Sequence, residues 1–145
     1  MSHKLQNADL KPIFTEYFNK VTSLYWKTHS AHWNLVSTDF YSLHKLLDEQ
    51  YNALWDSLDA IAEHMRALEL AAPHQLQAET ALPLGSERNA FLEELIEAQG
   101  ALVQWLRTAI REVDALGDIS GADFLTERLA EHEKMAWMLK ASLSA

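Results

Sequence analysis

Apolar residues recur at steps of three, four and seven over four long stretches of this chain, the period of helices that bury one face. The first stretch predicts a helix from about Asp9 to Leu35, with Phe14, Tyr17, Val21, Leu24, Thr28 and Leu35 on its stripe and Pro12 in its first turn. Ser37, Thr38 and Asp39 interrupt the pattern and supply cap-type residues. A second helix follows from about Asp39 to Leu70, its stripe being Leu43, Leu47, Leu54, Leu58, Ile61, Met65 and Leu68. The period lapses from Ala71 to Gly85, which holds Pro73 and Pro83, with room for a short helix over His74–Glu79. The third helix starts after Ser86, carries Phe91, Leu95, Leu102, Leu106, Ile110 and Val113, and stops at Gly117. The fourth runs from about Ser120 to Ser142 with Leu125, Leu129, Met135 and Leu139. The predicted fold is all-α: one domain, residues 1–145, built as a four-helix bundle. Its long link between helices 2 and 3 suits a crossover between parallel helices.

The second helix has a second marked face. His44, Asp48, Asp59 and Glu63 are spaced four, eleven and four apart, so they lie along one side. At about 100° per residue that side stands roughly 110° round from the apolar stripe. Tyr51 and Trp55 share it, and aromatics are enriched where proteins meet. Imidazole and carboxylate are the ligand types for first-row metals such as iron. The bland alternative is a solvated polar face with charges at i,i+4.

If the four residues bind metal, one helix cannot bring them to one ion. Eleven residues span roughly 16 Å of helix axis, whereas a metal–ligand bond is about 2 Å. Two copies packed antiparallel about a two-fold axis near Asn52–Trp55 remove the difficulty. His44 and Asp48 of one chain then face Asp59 and Glu63 of the other, and the symmetry repeats the site. His32 joins by hairpin geometry: if the chain reverses near residue 38, His32 and His44 stand at the same level on neighbouring antiparallel helices.

Composition narrows the chemistry further. Four glycines and three prolines leave room for long helices and little for a turn-rich β fold. With no cysteine there is no disulfide, thiolate site or thiol nucleophile. The formal charge of −9 disfavours nonspecific nucleic-acid binding and makes cations the natural partner. No apolar signal core opens the sequence and no apolar run reaches the roughly 18 residues of a membrane span, which points to a cytoplasmic protein.

The stretch AHWNLVSTDFYSLHKLLDEQYNALWDSLDAIAEHMRAL, Ala31–Leu68, closely resembles the Dps family of mini-ferritins, the DNA-binding proteins from starved cells, within the ferritin-like superfamily. The family pattern is matched by His32, Trp33, Asn34, His44, Asp48, Asp59 and Glu63, seven residues over a fixed 32-residue window. The stretch Gly117–Leu143 resembles the family as well. The resemblance implies a ferritin-like bundle assembled into a twelve-subunit shell. It implies a ferroxidase that oxidises Fe(II), preferably with hydrogen peroxide rather than oxygen, and stores ferric oxide inside. His32, Asp59 and Glu63 would hold one iron, Glu63 bridging, with His44 and Asp48 completing a weaker second position; zinc could occupy the same ligands. Trp33, which otherwise reads as core packing, would sit beside the site as an electron donor or radical sink.

Asp114, Asp118, Asp123 and Glu127 gather at the last turn. Asp118 can be a helix cap, while the resemblance makes Asp118 and Asp123 the lining of a three-fold pore for iron entry. His29, His64, His74 and His132 lack ligand-spaced partners and read as solvated surface. Two other functions compete with iron oxidation. A nucleoid-binding stress protein is disfavoured by the acidic body and by having only Lys4 and Lys11 near the N-terminus, where many family members carry a lysine-rich extension. A salt-dependent gel shift separates the two. An oxidase with its site inside one bundle needs Glu-x-x-His on two helices, and no glutamate here has a histidine three residues on. The family's usual glycine after the second helix is also missing from EHMRALELAAP, so that helix end is expected to differ.

Overall fold

The computed structural model describes residues 3–83 and 85–143, with side-chain surroundings from residue 7; Lys4, weighed above for DNA contact, has its side chain outside the described residues. Four helices follow in order: α1 His3–Asn34, α2 Phe40–Ala67, α3 Arg88–Ala115 and α4 Ile119–Ala141. Among the described residues there is no strand, only an isolated parallel bridge between Val36 and Glu87.

The direction of each helix follows from a few bonds. Asn7 Nδ2 donates to the Leu68 carbonyl at 2.9 Å, so α1 starts where α2 ends and the two are antiparallel. Val36 N donates to the Ser86 carbonyl at 3.0 Å, which brings the start of α3 to the α1–α2 turn. Helices α2 and α3 therefore begin at the same end and run parallel, and the link 68–87 crosses the length of the bundle as the sequence predicts. That link holds no helix at His74–Glu79. It is held extended because α1 supplies acceptors for alternate backbone N–H groups: Gln77 N donates to Asn19 Oδ1 at 3.3 Å and Glu79 N to Ser23 Oγ at 2.8 Å.

The first helix begins earlier than the apolar pattern indicates. Its added turns use Asn7 to close the end of α2. Pro12 then lies inside the helix; it and Ala8, whose carbonyl it cannot serve, are both exposed, so water meets the unpaired group. Asp39 occupies the N-cap position of α2 without a side-chain cap bond. The Arg88 guanidinium takes that carboxylate in a two-pronged contact at 3.0 and 2.7 Å and holds it well below the usual carboxylate range. Arg88 also donates to the Ser142 carbonyl, so one side chain ties three helix ends.

The missing glycine after α2 has a structural consequence. Glu69 takes the left-handed conformation, φ 63°, and Leu70 N closes back to the Met65 carbonyl at 2.9 Å. Gly117 does the same task after α3 at φ 86°, without the Cβ penalty. A Glu69→Gly variant should therefore gain about 0.5 kcal/mol, the strain relief of 1–2 kcal/mol being partly offset by the entropy of glycine. A urea midpoint that falls on this change would contradict the reading.

The predicted stripes form the core, with Phe14, Tyr17, Val21, Leu47, Leu54, Ile61, Leu95, Leu106 and Leu125 fully buried. Leu58, Leu68, Ile110 and Leu129 are only half-buried. Midway along the bundle all four helices contribute a polar group: Tyr17, Gln50, Gln99 and His132. His132 is wholly buried, against its reading as surface. Gln99 Oε1 only accepts, so His132 Nδ1 donates to it at 2.9 Å, and the Tyr17 hydroxyl donates to His132 Nε2 at 2.9 Å. Burial first, and the Arg128 charge second, push His132 down to about 3. Burial raises Tyr17 to about 12.

Candidate metal centre

The chain reverses at 35–39, and this places His32 opposite His44. The two imidazoles stack with centroids 3.6 Å apart and planes 13° apart. Each reaches across to the other residue's backbone: His32 Nδ1 lies 2.7 Å from the His44 carbonyl, and His44 Nδ1 lies 2.8 Å from the His32 carbonyl. A carbonyl oxygen only accepts, so both Nδ1 atoms carry hydrogen. Nε2 is then the ring nitrogen left on each to bind a metal, in the arrangement a metal-binding imidazole needs.

Asp48 stands one turn beyond His44 and is half-buried. Asn52 Nδ2 donates to its carbonyl at 2.9 Å and lies 3.4 Å from Oδ1. The hydrogen bond to Asp48 holds the Tyr51 phenol above its usual range, with burial adding to it. Asp59 and Glu63 are exposed further along the same helix. The Asp59 carboxylate, hydrogen-bonded to Glu63 and like-charged, holds the Glu63 carboxyl above its usual range. Two like-charged acids this close favour a cation between them.

The two halves are apart on one chain. His44 and Asp59 are separated by about 22 Å of helix axis. Among the described residues, no three His, Asp or Glu side chains gather closely enough to hold one ion. Beside Asp59 a groove of about 880 Å³ opens between α1 and α2, walled by Trp26, Trp55 and Leu76. Trp55 is 57% exposed there.

A belt of aromatic rings surrounds the histidine pair. Trp33 is 55% exposed rather than part of the core. It packs on His29 at 3.9 Å and meets Trp26 at 6.2 Å. His29 also stacks on Tyr51 at 3.8 Å and 10°. Tyr25 closes the belt, its hydroxyl 2.9 Å from His29 Nδ1 and its ring 5.1 Å from Trp55. His29 is thus half-buried among rings, not solvated surface. A spacing signal exists in retrospect, since Tyr25, His29 and Trp33 recur every fourth residue.

At the turn between α3 and α4 the structure gives Asp118 a capping task. It is buried; Oδ1 accepts from Gly121 N at 3.0 Å and Oδ2 lies 2.9 Å from His64 Nε2. Gly121 makes room for this pair: a Cβ there would come within 1.9 Å of Asp118 Oδ2 and 2.9 Å of His64 Nε2. Here too a histidine read as surface has a partner. Asp123, Glu127 and Asp114 are exposed around the turn.

The profile of ferritin-like domains matches residues 15–145. A DNA protection during starvation protein of Agrobacterium fabrum is 33% identical over 136 residues, 89% of this chain and 84% of that protein. The chain belongs to the Dps family of mini-ferritins. A low temperature-induced protein of Nostoc sp. is 34% identical over 123 residues, covering 79% of this chain and 69% of its own length. Dps from Staphylococcus aureus superposes with a TM-score of 0.89 at 25% identity, over 95% of this chain and 97% of that one. The ferritin-like four-helix bundle of this Dps chain is the shared architecture, and no helix among the described residues is long and apolar enough to cross a membrane.

Proposed function

We propose that this Dps protein binds ferrous iron as substrate at sites shared between two subunits and oxidises it with hydrogen peroxide, storing ferric oxide within a twelve-subunit shell. The observation that carries the reading is the locked histidine pair: both rings spend Nδ1 on a carbonyl, which leaves Nε2 for a metal, and among the described residues no third ligand gathers with them. A two-fold axis across α2 near Asn52–Trp55 brings the missing ligands. His32 of one chain with Asp59 and Glu63 of the other hold one ferrous ion, Glu63 bridging, and His44 with Asp48 complete the second position. Membership of the Dps mini-ferritins supports this set. So does the Vibrio cholerae Dps protein, of the same fold, which is described as one of the ferritin-like diiron-carboxylate proteins.

The chemistry balances within one shared site. Two ferrous ions each give one electron, the O–O bond of one peroxide breaks, and two hydroxide ions leave. Both electrons come from iron in one place, so no hydroxyl radical is released. Asp59 and Glu63 supply the carboxylates, while the carbonyls that hold the two Nδ1 atoms keep both imidazoles aimed. Trp33 stands beside the site as a donor for stray oxidising equivalents.

The test is anaerobic ferrous loading followed by peroxide or oxygen. Peroxide should oxidise the iron much faster than oxygen, in a particle whose scattering mass is near twelve times 16.5 kDa. An active monomer would contradict the shared site. For iron entry, Asp123 presents an exposed carboxylate at the turn, with Asp118 behind it fixing the turn through His64. Asp123→Asn should slow uptake of dilute ferrous iron severalfold, and the difference should shrink with added salt. Asp118→Asn should instead cost about 1–3 kcal/mol of stability. Native uptake in Asp123→Asn would move the entry path elsewhere.

A further inference from the structure

We propose that the acids on the outward side of α2 gate assembly: without metal they push two subunits apart, and divalent cations in the shared sites clamp the subunits together. The proposal rests on the shared-site reading above. Between His44 and Glu63 that side of the helix carries Asp48, Asp56, Asp59 and Glu63 against one base, Lys45. Asp56, Asp59 and Glu63 are exposed. Lys45 Nζ leans over the Tyr41 ring, 5.7 Å from its centroid and one turn towards the helix start. Arg66, beyond Glu63, donates from Nη1 to the Leu70 carbonyl at 2.9 Å. Antiparallel packing about Asn52–Trp55 sets Asp48 of one chain against Asp59 and Glu63 of the other, and the two-fold axis repeats the set. Like charges placed face to face across an interface oppose its formation.

The apolar part of the same face pulls the other way. Trp33 is 55% exposed and Trp55 is 57% exposed, and covering them draws two chains together. The contact is therefore a balance that cations tip. Two divalent ions in each of two sites bring as many positive charges to the contact as the four acids of both chains bring negative ones. A ligand that binds the pair and not the separate chains strengthens the pair by its own binding. At a cation concentration a hundred times the Kd, the factor is about a hundred per site, and about ten thousand for the two sites of one contact. The His32–His44 pair keeps some affinity on a lone chain, which lowers that factor. A consequence of opposite sign separates this contact from one that metal merely bridges. Neutralising the ligand acids should tighten the metal-free contact while abolishing the effect of metal.

The experiment follows subunit exchange in the assembled protein. Metal-free protein with natural and with nitrogen-15-labelled subunits is mixed, and samples are read by native mass spectrometry. Urea is raised, short of unfolding, until the metal-free protein exchanges within about an hour. Zinc(II) is the probe, because it takes the same ligand types and has no redox chemistry. Calorimetry counts the zinc bound. Zinc should slow exchange by about a hundredfold or more. Added salt should slow metal-free exchange by screening the acids. Asp59→Asn with Glu63→Gln should exchange severalfold more slowly than the native protein without metal, and zinc should no longer change its rate. Asp56→Asn, which leaves the proposed ligands in place, should also slow metal-free exchange but keep the zinc effect. Zinc bound at the sites with exchange unchanged overturns the proposal. So does metal-free exchange as fast as native in both acid variants. Zinc that binds the native protein and the double variant alike overturns the shared site and the proposal together. Zinc-slowed exchange in a protein whose iron peroxide leaves ferrous overturns the oxidation reading alone.

Discussion

A chain carrying His44→Ala with Asp48→Ala and a chain carrying Asp59→Ala with Glu63→Ala should each be nearly inactive alone and recover iron oxidation when refolded together. In the proposed dimer each site takes one half from each subunit. A homodimer of either variant therefore has two half-empty sites. A mixed dimer has one site with all its ligands and one with neither set, so about half the native activity per mixed dimer is expected. The separation of the two halves on one helix excludes the alternative in which both serve one ion in cis. Iron-oxidation rates on mixtures of known subunit ratio check it. Native mass spectrometry should count the mixed dimers, because inactivity without mixing decides nothing. Proven mixed dimers that stay inactive would mean the shared site is wrong.

Helix register was legible in the sequence because it rests on periods. His44, Asp48, Asp59 and Glu63 share one side of α2 by spacing alone, and the hairpin argument placed His32 level with His44, as their stacked rings and reciprocal carbonyl bonds show. The α2–α3 crossover was legible from its length. What failed were single polar residues whose partners lie on distant segments. His132 meets Tyr17 across 115 positions and His64 meets Asp118 across 54. No local pattern marks such pairs, so isolated histidines default to surface. Trp33 failed the other way: hydrophobicity predicts burial, yet half of it faces outward at the face where a second copy is proposed to dock. The extended crossover failed because the acceptors that hold it, Asn19 and Ser23, belong to another helix.

The native protein should lose stability steeply on mild acidification, and His132→Gln should blunt that loss. His132 is neutral in the fold because Nε2 accepts from Tyr17 while Nδ1 donates to Gln99, with Arg128 close by. Its folded pKa of about 3 lies below the value near 6.5 of an unfolded chain. Below pH 6.5 the unfolded chain therefore binds a proton that the fold refuses, and folding weakens as pH falls. The stabilisation is complete above about pH 6.5 and is lost progressively down to about pH 3, at up to 1.36 kcal/mol per pH unit per subunit. The full loss is on the order of 5 kcal/mol, comparable to the whole stability of a small domain. Glutamine keeps a donor and an acceptor for Gln99 and Tyr17 but does not titrate. At pH 7 the variant should be the less stable, by about 1–3 kcal/mol from imperfect bonding. Between pH 6.5 and pH 5 the native protein should lose about 2 kcal/mol more than the variant. Urea midpoints at the two pH values give the comparison, and the carboxylates common to both proteins cancel in the difference. Equal acid slopes in the two proteins would show that the buried layer takes up its proton without unfolding, and that acid stability is set at the surface carboxylates instead.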